Sequence, residues 1–119
     1  MRKPGGAMWL AALLGGSGVL HLVRPRTYEW LVPPEVGDAR TWVTVTGAAE
    51  IATAALLGTR RSRRLGGWSA AALLVGFVPA HLHTFRVVGR RPHLLAAAAV
   101  RLVLQVPLVG AALRVARGG

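Results

Sequence analysis

The chain has 119 residues, of which 53 % are apolar and only 16 % charged, with a mean hydropathy of +0.46. A soluble domain carries about 25 % charged residues, so the composition argues against one, and the absence of cysteine excludes disulfides, thiol redox chemistry and cysteine-ligated metals. Fifteen Lys and Arg against four acids (Glu29, Glu35, Asp38 and Glu50) give a net charge of +11, which points to nucleic acid or a membrane surface as partner until the placement of the charges decides.

The first apolar run, 7–23, follows Arg2 and Lys3, as the hydrophobic stretch of a signal peptide follows its basic start. No small-x-small cleavage site separates it from the following HLVRPR, and three more apolar runs come after it, so it reads as a retained span. The second run is 41–58, the third 65–85 and the fourth 94–113, giving lengths of 17, 18, 21 and 20 residues. A membrane-spanning helix needs about 17–25 residues at a rise of about 1.5 Å each. None of the runs alternates with the period of two that a strand requires. The expected fold is therefore all-α: a polytopic membrane protein, with residues 1–119 forming one four-helix transmembrane bundle.

The charges sort by loop. Arg2, Lys3, Arg60, Arg61, Arg63, Arg64, Arg114 and Arg117 fall on one side, with no acid among them. Arg24, Arg26, Arg40, Arg86, Arg90 and Arg91 fall on the other, with Glu29, Glu35 and Asp38. Positive charge is retained in the cytoplasm, which places both termini inside a bacterial inner membrane. Trp9 and Trp68 open their runs at the inner face, and Trp42 opens its run at the outer face near Tyr28 and Trp30. Interfaces are where amphipathic rings settle. Membrane lipids, and not nucleic acid, are then the partners of the basic residues.

Within the runs, Gly47, Ala48 and Ala52, then 70–72 with Gly76, then 96–99 supply small residues for close helix contact in lipid. Pro79 and Pro107 lie inside spans, where each bends its helix and frees a carbonyl four residues earlier, at Val75 and Val103.

Chemistry concentrates on few residues. Glu50 lies mid-span, where an acid costs roughly 2.5–3.5 kcal/mol, with Thr46 and Thr53 at i−4 and i+3. Arg101 lies inside the fourth run, one turn before Gln105. By rise per residue Glu50 is about 14 Å and Arg101 about 10 Å from the outer end, so the two are expected to face each other. The guanidinium would hold the carboxylate, and Gln105 and the Thr hydroxyls would satisfy its remaining lone pairs. That pair reads either as a structural ion pair fixing the register or as a working site. His21, His81 and His83 cluster at the same end. A pocket of Glu50, Arg101, Gln105, His21 and His81, opening outward, would suit a quinone-like headgroup, whose carbonyls need donors and whose reduction needs proton carriers. His81 and His83, at i and i+2, point to different faces and cannot share a metal. His93, beside Pro92 in a basic loop, reads as solvated. No metal or flavin motif is present, and the Gly15-Gly16-x-Gly18 cluster is read as close packing because no strand precedes it.

The order of these motifs resembles the DoxX-like family of small four-helix membrane proteins. SGVLHLVRP is followed by Tyr28 and LVPP at 31–34; Gly47-x-x-Glu50 is followed by LLGTRRSRRLGGW; then come FVPAH at 77–81 and RLVLQVPL at 101–108. The likeness spans most of residues 17–108. The family usually has Pro-Ala-Asn where this chain has His81, and Val106 intervenes between Gln105 and Pro107. The positions that correspond are His21, Pro25, Pro33, Glu50, Pro79, Arg101 and Gln105. The resemblance implies a subunit or accessory of a quinone-linked membrane oxidoreductase, with a membrane quinone as cofactor and a redox subunit, or further copies of the chain, as partners. In that reading Glu50 and His21 are catalytic, and Arg101, Gln105, His81, Thr46 and Thr53 bind the ligand. Two other readings stay open: a proton-coupled small-molecule transporter, against which an Arg101 neutralising Glu50 would count, and a scaffold without a ligand.

Overall fold

The computed structural model describes residues 5–118; Arg2 and Lys3, counted above with the inner charges, lie outside the described residues. Those described form an all-α chain without a strand: α1 (Gly5–Val23), α2 (Arg26–Glu29), α3 (Ala39–Gly58), α4 (Arg63–Gly76), α5 (Val78–Val88) and α6 (Pro92–Ala116). Three segments are long and apolar enough to cross a membrane, namely Gly6–Val23, Arg60–Val88 and Pro92–Ala116. α3, expected to be a fourth, has the length at 20 residues but is not among the three. Four threonines and Glu50 dilute its apolar content, and Glu50 and Thr53 are on its buried side.

The surface is unlike that of a soluble protein. Leu13, Val19, Trp68, Val75, Val103 and Val106 are exposed, while Glu50, Thr53, Gln105 and His21 are buried beside an apolar core. An apolar exterior around a small-residue and polar interior is what a hydrocarbon solvent selects. One half of the interior is apolar, with Ala7, Leu10 and Leu14 of α1, Leu57 of α3, Ala70, Ala71 and Leu74 of α4 and Ala112 of α6. The buried polar groups His21 and Glu50 lie further along α1 and α3, toward the opposite end.

α3 packs on α1 and on α4; α6 packs on α4 and α5 and touches α1. α3 and α6 therefore occupy opposite corners.

The third apolar run is two helices. α4 stops at Gly76, Phe77 caps it by donating its amide to the carbonyls of Leu73 and Val75, and α5 starts with Pro79 in its first turn. The carbonyl caught by a side chain is that of Leu74, which accepts from Gln105 Nε2 at 2.7 Å. Val75, where Pro79 was expected to free a carbonyl, has its oxygen occupied by the Phe77 cap. Pro107 leaves α6 unbroken. Gly89, at φ +62, lets the chain reverse from α5 into α6 in a backbone region costly for any other residue.

The RRSRR loop closes helix ends besides carrying charge. Ser62 Oγ donates to Leu56 O at 2.9 Å, Arg63 Nε to Leu57 O at 3.1 Å and Arg64 Nε to Ala116 O at 3.2 Å. The last carbonyls of α3 and α6, which lack helical partners, thus meet cationic donors. The two ends of the molecule carry the two sets of arginines separated in the sequence: Arg64 meets the end of α6, and Arg86 and Arg40 pair with Glu35 and Glu29 at the other end.

At that other end Asp38 caps α3, accepting from Thr41 N at 3.0 Å and Thr41 Oγ1 at 2.7 Å. These bonds hold its carboxyl below the usual carboxylate range, and the Arg86 guanidinium, 3.1 Å away, does the same for Glu35. A carboxylate whose folded pKa is depressed stabilises fully above its unfolded pKa of about 4 and stops doing so as pH falls through the folded value. The 30–42 segment is accordingly expected to be indifferent to pH from neutrality down to about 4 and to loosen below it. Trp42 reports this, since its Nε1 donates to Val36 O at 2.8 Å. Its fluorescence should shift in acid, and Asp38→Asn should move that midpoint.

Candidate functional site

The centre of the site is a helix crossing made possible by two glycines. A Cβ on Gly18 would sit 2.7 Å from Gly47 O, and one on Gly47 would sit 2.6 Å from His21 Cβ. The hydrogen side chains let α1 and α3 approach until His21 and Glu50 meet. Glu50 is 1 % exposed. Its Oε1 lies 3.1 Å from His21 Nδ1 and accepts from Ser17 Oγ at 3.3 Å. His21 Nδ1 is also 2.6 Å from Ser17 O. A carbonyl can only accept, so the proton sits on Nδ1 and is shared between that carbonyl and the carboxylate, leaving Nε2 free to accept. The imidazole stacks on Tyr28 with centroids 3.8 Å apart, and Phe77 lies at 6.5 Å.

This arrangement corrects one expectation. No bond joins Glu50 to Arg101 among the described residues, and the two stand on opposite corners of the helix packing. Arg101 donates through Nη1 to Gln105 Oε1 on its own helix. Gln105 is itself fixed by Leu74 O. His81 lies within electrostatic reach of Arg101, and its Nε2, like Nδ1 of His83, is buried without a hydrogen-bond partner. The two threonines also point elsewhere. Thr46 Oγ1 returns to Trp42 O at 2.7 Å, and Thr53 Oγ1 meets Ser69 Oγ at 2.6 Å. The five residues expected to line one pocket therefore fall into two groups: Glu50 with His21, and Arg101 with Gln105 and His81.

Three participants stand in the sequence only as members of longer motifs, with no site role: Ser17, Tyr28 as a ring partner, and Phe77. Ser17 precedes His21 by one helical turn, a spacing that places both on one face, so that signal was available. Tyr28 and Phe77 are brought in by the α1–α2 corner and the α4–α5 break, which only the fold shows.

Because the guanidinium does not touch the carboxylate, Arg101→Met should leave the Glu50–His21–Ser17 cluster intact. The expected change in thermal stability in detergent is small, within about 1 kcal/mol. A collapse of the fold would mean that Arg101 supports Glu50 after all.

No curated protein and no solved structure matches the chain. The family described as "Domain of unknown function (DUF8561)" matches residues 10–116. With nearly its whole length inside that match, the chain belongs to the DUF8561 family.

Proposed function

We propose that the protein is a DoxX-like integral membrane protein of the bacterial inner membrane, serving as a proton-handling subunit or accessory of a quinone-linked oxidoreductase. In this reading α1, α3, α4 with α5, and α6 all cross the bilayer and both termini are cytoplasmic. The arginine-rich Arg60–Arg64 end without acids supports that orientation. The inward-turned Glu50 and Thr53 support a membrane position for α3 despite its polarity. One observation carries the functional reading: a carboxyl and an imidazole 3.1 Å apart, buried in an apolar bundle. Ionisable groups at such depth are expensive and default to function, and a carboxyl–imidazole pair is a means of taking up and passing a proton.

The residues also suit a quinone. Its carbonyl oxygens accept hydrogen bonds, and the Arg101 guanidinium uses one edge on Gln105, leaving other N–H groups without a protein partner among the described residues. His81 Nε2 is similarly unpartnered. Arg101 and His81 would orient the headgroup, held in register by Gln105, and Glu50 and His21 would exchange protons with the aqueous side. The quinone would supply the two-electron chemistry; with no cysteine or flavin motif in the sequence, the electrons would come from a partner chain or a soluble enzyme.

Native mass spectrometry after gentle extraction tests this. A co-purifying quinone, lost in Arg101→Met, supports the reading; a quinone-free protein that binds none on addition overturns it. One observation favours a second reading, proton-coupled transport. Since Arg101 bonds Gln105 and not Glu50, the objection that a guanidinium neutralises the carboxylate no longer holds. Counterflow of protons with a small molecule in proteoliposomes, abolished by Glu50→Gln, would establish it.

A further inference from the structure

Three arginines at the α1–α2 corner have no role in the chemistry above. Arg24, Arg26 and Arg40, with Val23, Pro25 and Thr27, line an open concavity of about 450 Å³. Arg40 comes from α3 and is set in place by Glu29 of α2, with Nε to Oε2 at 3.0 Å. Arg24 and Arg26 have no side-chain partner among the described residues. Two helices and a corner thus place three arginines around one hollow, and only Arg40 is bonded to a carboxylate, that of Glu29. On the reading that this end faces outward, such a concentration also runs against the tendency that keeps basic residues near span ends on the cytoplasmic side, so a specific use for it is called for.

The hollow is not purely polar. Val23, 68 % exposed, forms part of its wall, and Val19, Leu20 and Leu22 continue as an exposed apolar strip along α1 below it. Guanidinium groups above an apolar strip match a molecule with a phosphate at one end and hydrocarbon at the other. We infer that the concavity lined by Arg24, Arg26 and Arg40 is a binding site for the phosphate headgroup of an anionic phospholipid, whose acyl chains lie on the Val19–Val23 strip of α1. The excess of positive charge favours a headgroup with net negative charge over a zwitterionic one, and the apolar strip favours a lipid over a free phosphate. The inference rests on the membrane reading of α1 but not on the quinone reading.

The experiment uses the full-length protein in detergent with a photoactivatable phosphatidylglycerol, followed by peptide mapping, and native mass spectrometry to count retained lipid. Arg24→Gln/Arg26→Gln leaves the Arg40–Glu29 bridge intact and is the working variant; Arg60→Gln/Arg61→Gln, at the opposite end, is the comparison. Labelling is expected within 19–30, outcompeted by phosphatidylglycerol and not by phosphatidylcholine. It should fall about fivefold for each arginine removed and stay unchanged in the comparison variant. Helicity and membrane extraction of each variant are measured alongside, so that loss of the membrane fold is distinguished from loss of the site. Labelling spread evenly over all exposed helices, or unaffected by Arg24→Gln/Arg26→Gln, overturns the inference. Competition by inorganic phosphate as effective as that by the lipid overturns it in favour of a soluble anion.

Discussion

Gly47→Leu is expected to prevent α1 from docking on α3, and Gly47→Ala to destabilise the protein by about 1–3 kcal/mol, the cost of overpacking a closed contact. The added Cβ would fall 2.6 Å from His21 Cβ and 3.1 Å from Gly18 O, and neither obstacle is the free end of a flexible chain. Relief requires the two helices to separate, which also lengthens the His21–Glu50 contact. Gly18→Ala meets the same wall from the other side, at Gly47 O and Ile51 Cγ1. Gly16→Ala supplies the control: nothing lies within 4 Å of its Cβ, so the substitution should be neutral or mildly stabilising through helix propensity. Thermal aggregation of the purified variants in one detergent ranks them. Equal midpoints for Gly47→Ala and Gly16→Ala would show that the crossing is not a tight contact.

The length of the charge-poor apolar runs locates the long helices but not the short α2 at Arg26–Glu29. The runs read at 7–23, 41–58 and 94–113 became Gly5–Val23, Ala39–Gly58 and Pro92–Ala116, because runs of apolar side chains dictate helix in a chain without strand alternation. The division of the third run at Phe77 followed from Pro79, although the carbonyl taken by a side chain was Leu74's rather than Val75's. A proline indicates where a helix must yield, while the neighbouring helix decides which carbonyl finds a new donor, here Gln105. Packing glycines were partly legible. Gly47 and Gly18 are contact points, but Gly76 faces open space, and the α4–α6 contact uses Gly67 against Ala112 and Ala116. Small residues permit approach wherever they occur, and only the partner determines which ones are used.

The partner of Glu50 was not legible, for a definable reason. Rise per residue gives depth along a helix axis, and by depth alone Arg101, about 10 Å from the outer end of its run, matches Glu50 better than His21, about 3 Å from the end of its own. Choosing between them needs the lateral order of the helices, which no single-chain pattern encodes. Charge complementarity favoured arginine, but the packing put α1 beside α3 and α6 across from it. Thr46 illustrates a second limit. A hydroxyl one turn from a carboxylate can as easily bond its own helix, and this one does so at 2.7 Å.

Two chemically different losses should follow from substitutions in the buried pair. Glu50→Gln keeps the shape, an acceptor for Ser17 Oγ and an acceptor for His21 Nδ1–H, and removes only the titrating proton. Its stability should stay close to that of the unaltered protein, while any proton-coupled turnover drops by about 10²–10⁴-fold, the usual contribution of a positioned acid or base. Glu50→Ala removes the acceptor as well and opens a void between α1 and α3, so it should lose about 2–4 kcal/mol in addition to activity. His21→Gln separates relay from architecture: an amide can still donate to Ser17 O and to the carboxylate, but it neither carries a second proton nor stacks on Tyr28 as an imidazole does. If Glu50 and His21 act as one unit, Glu50→Gln and His21→Gln should each abolish turnover, and the double variant should be no worse than either alone. Additive losses would mean that the two residues serve separate steps. Full activity in Glu50→Gln would reduce the pair to a structural contact between α1 and α3.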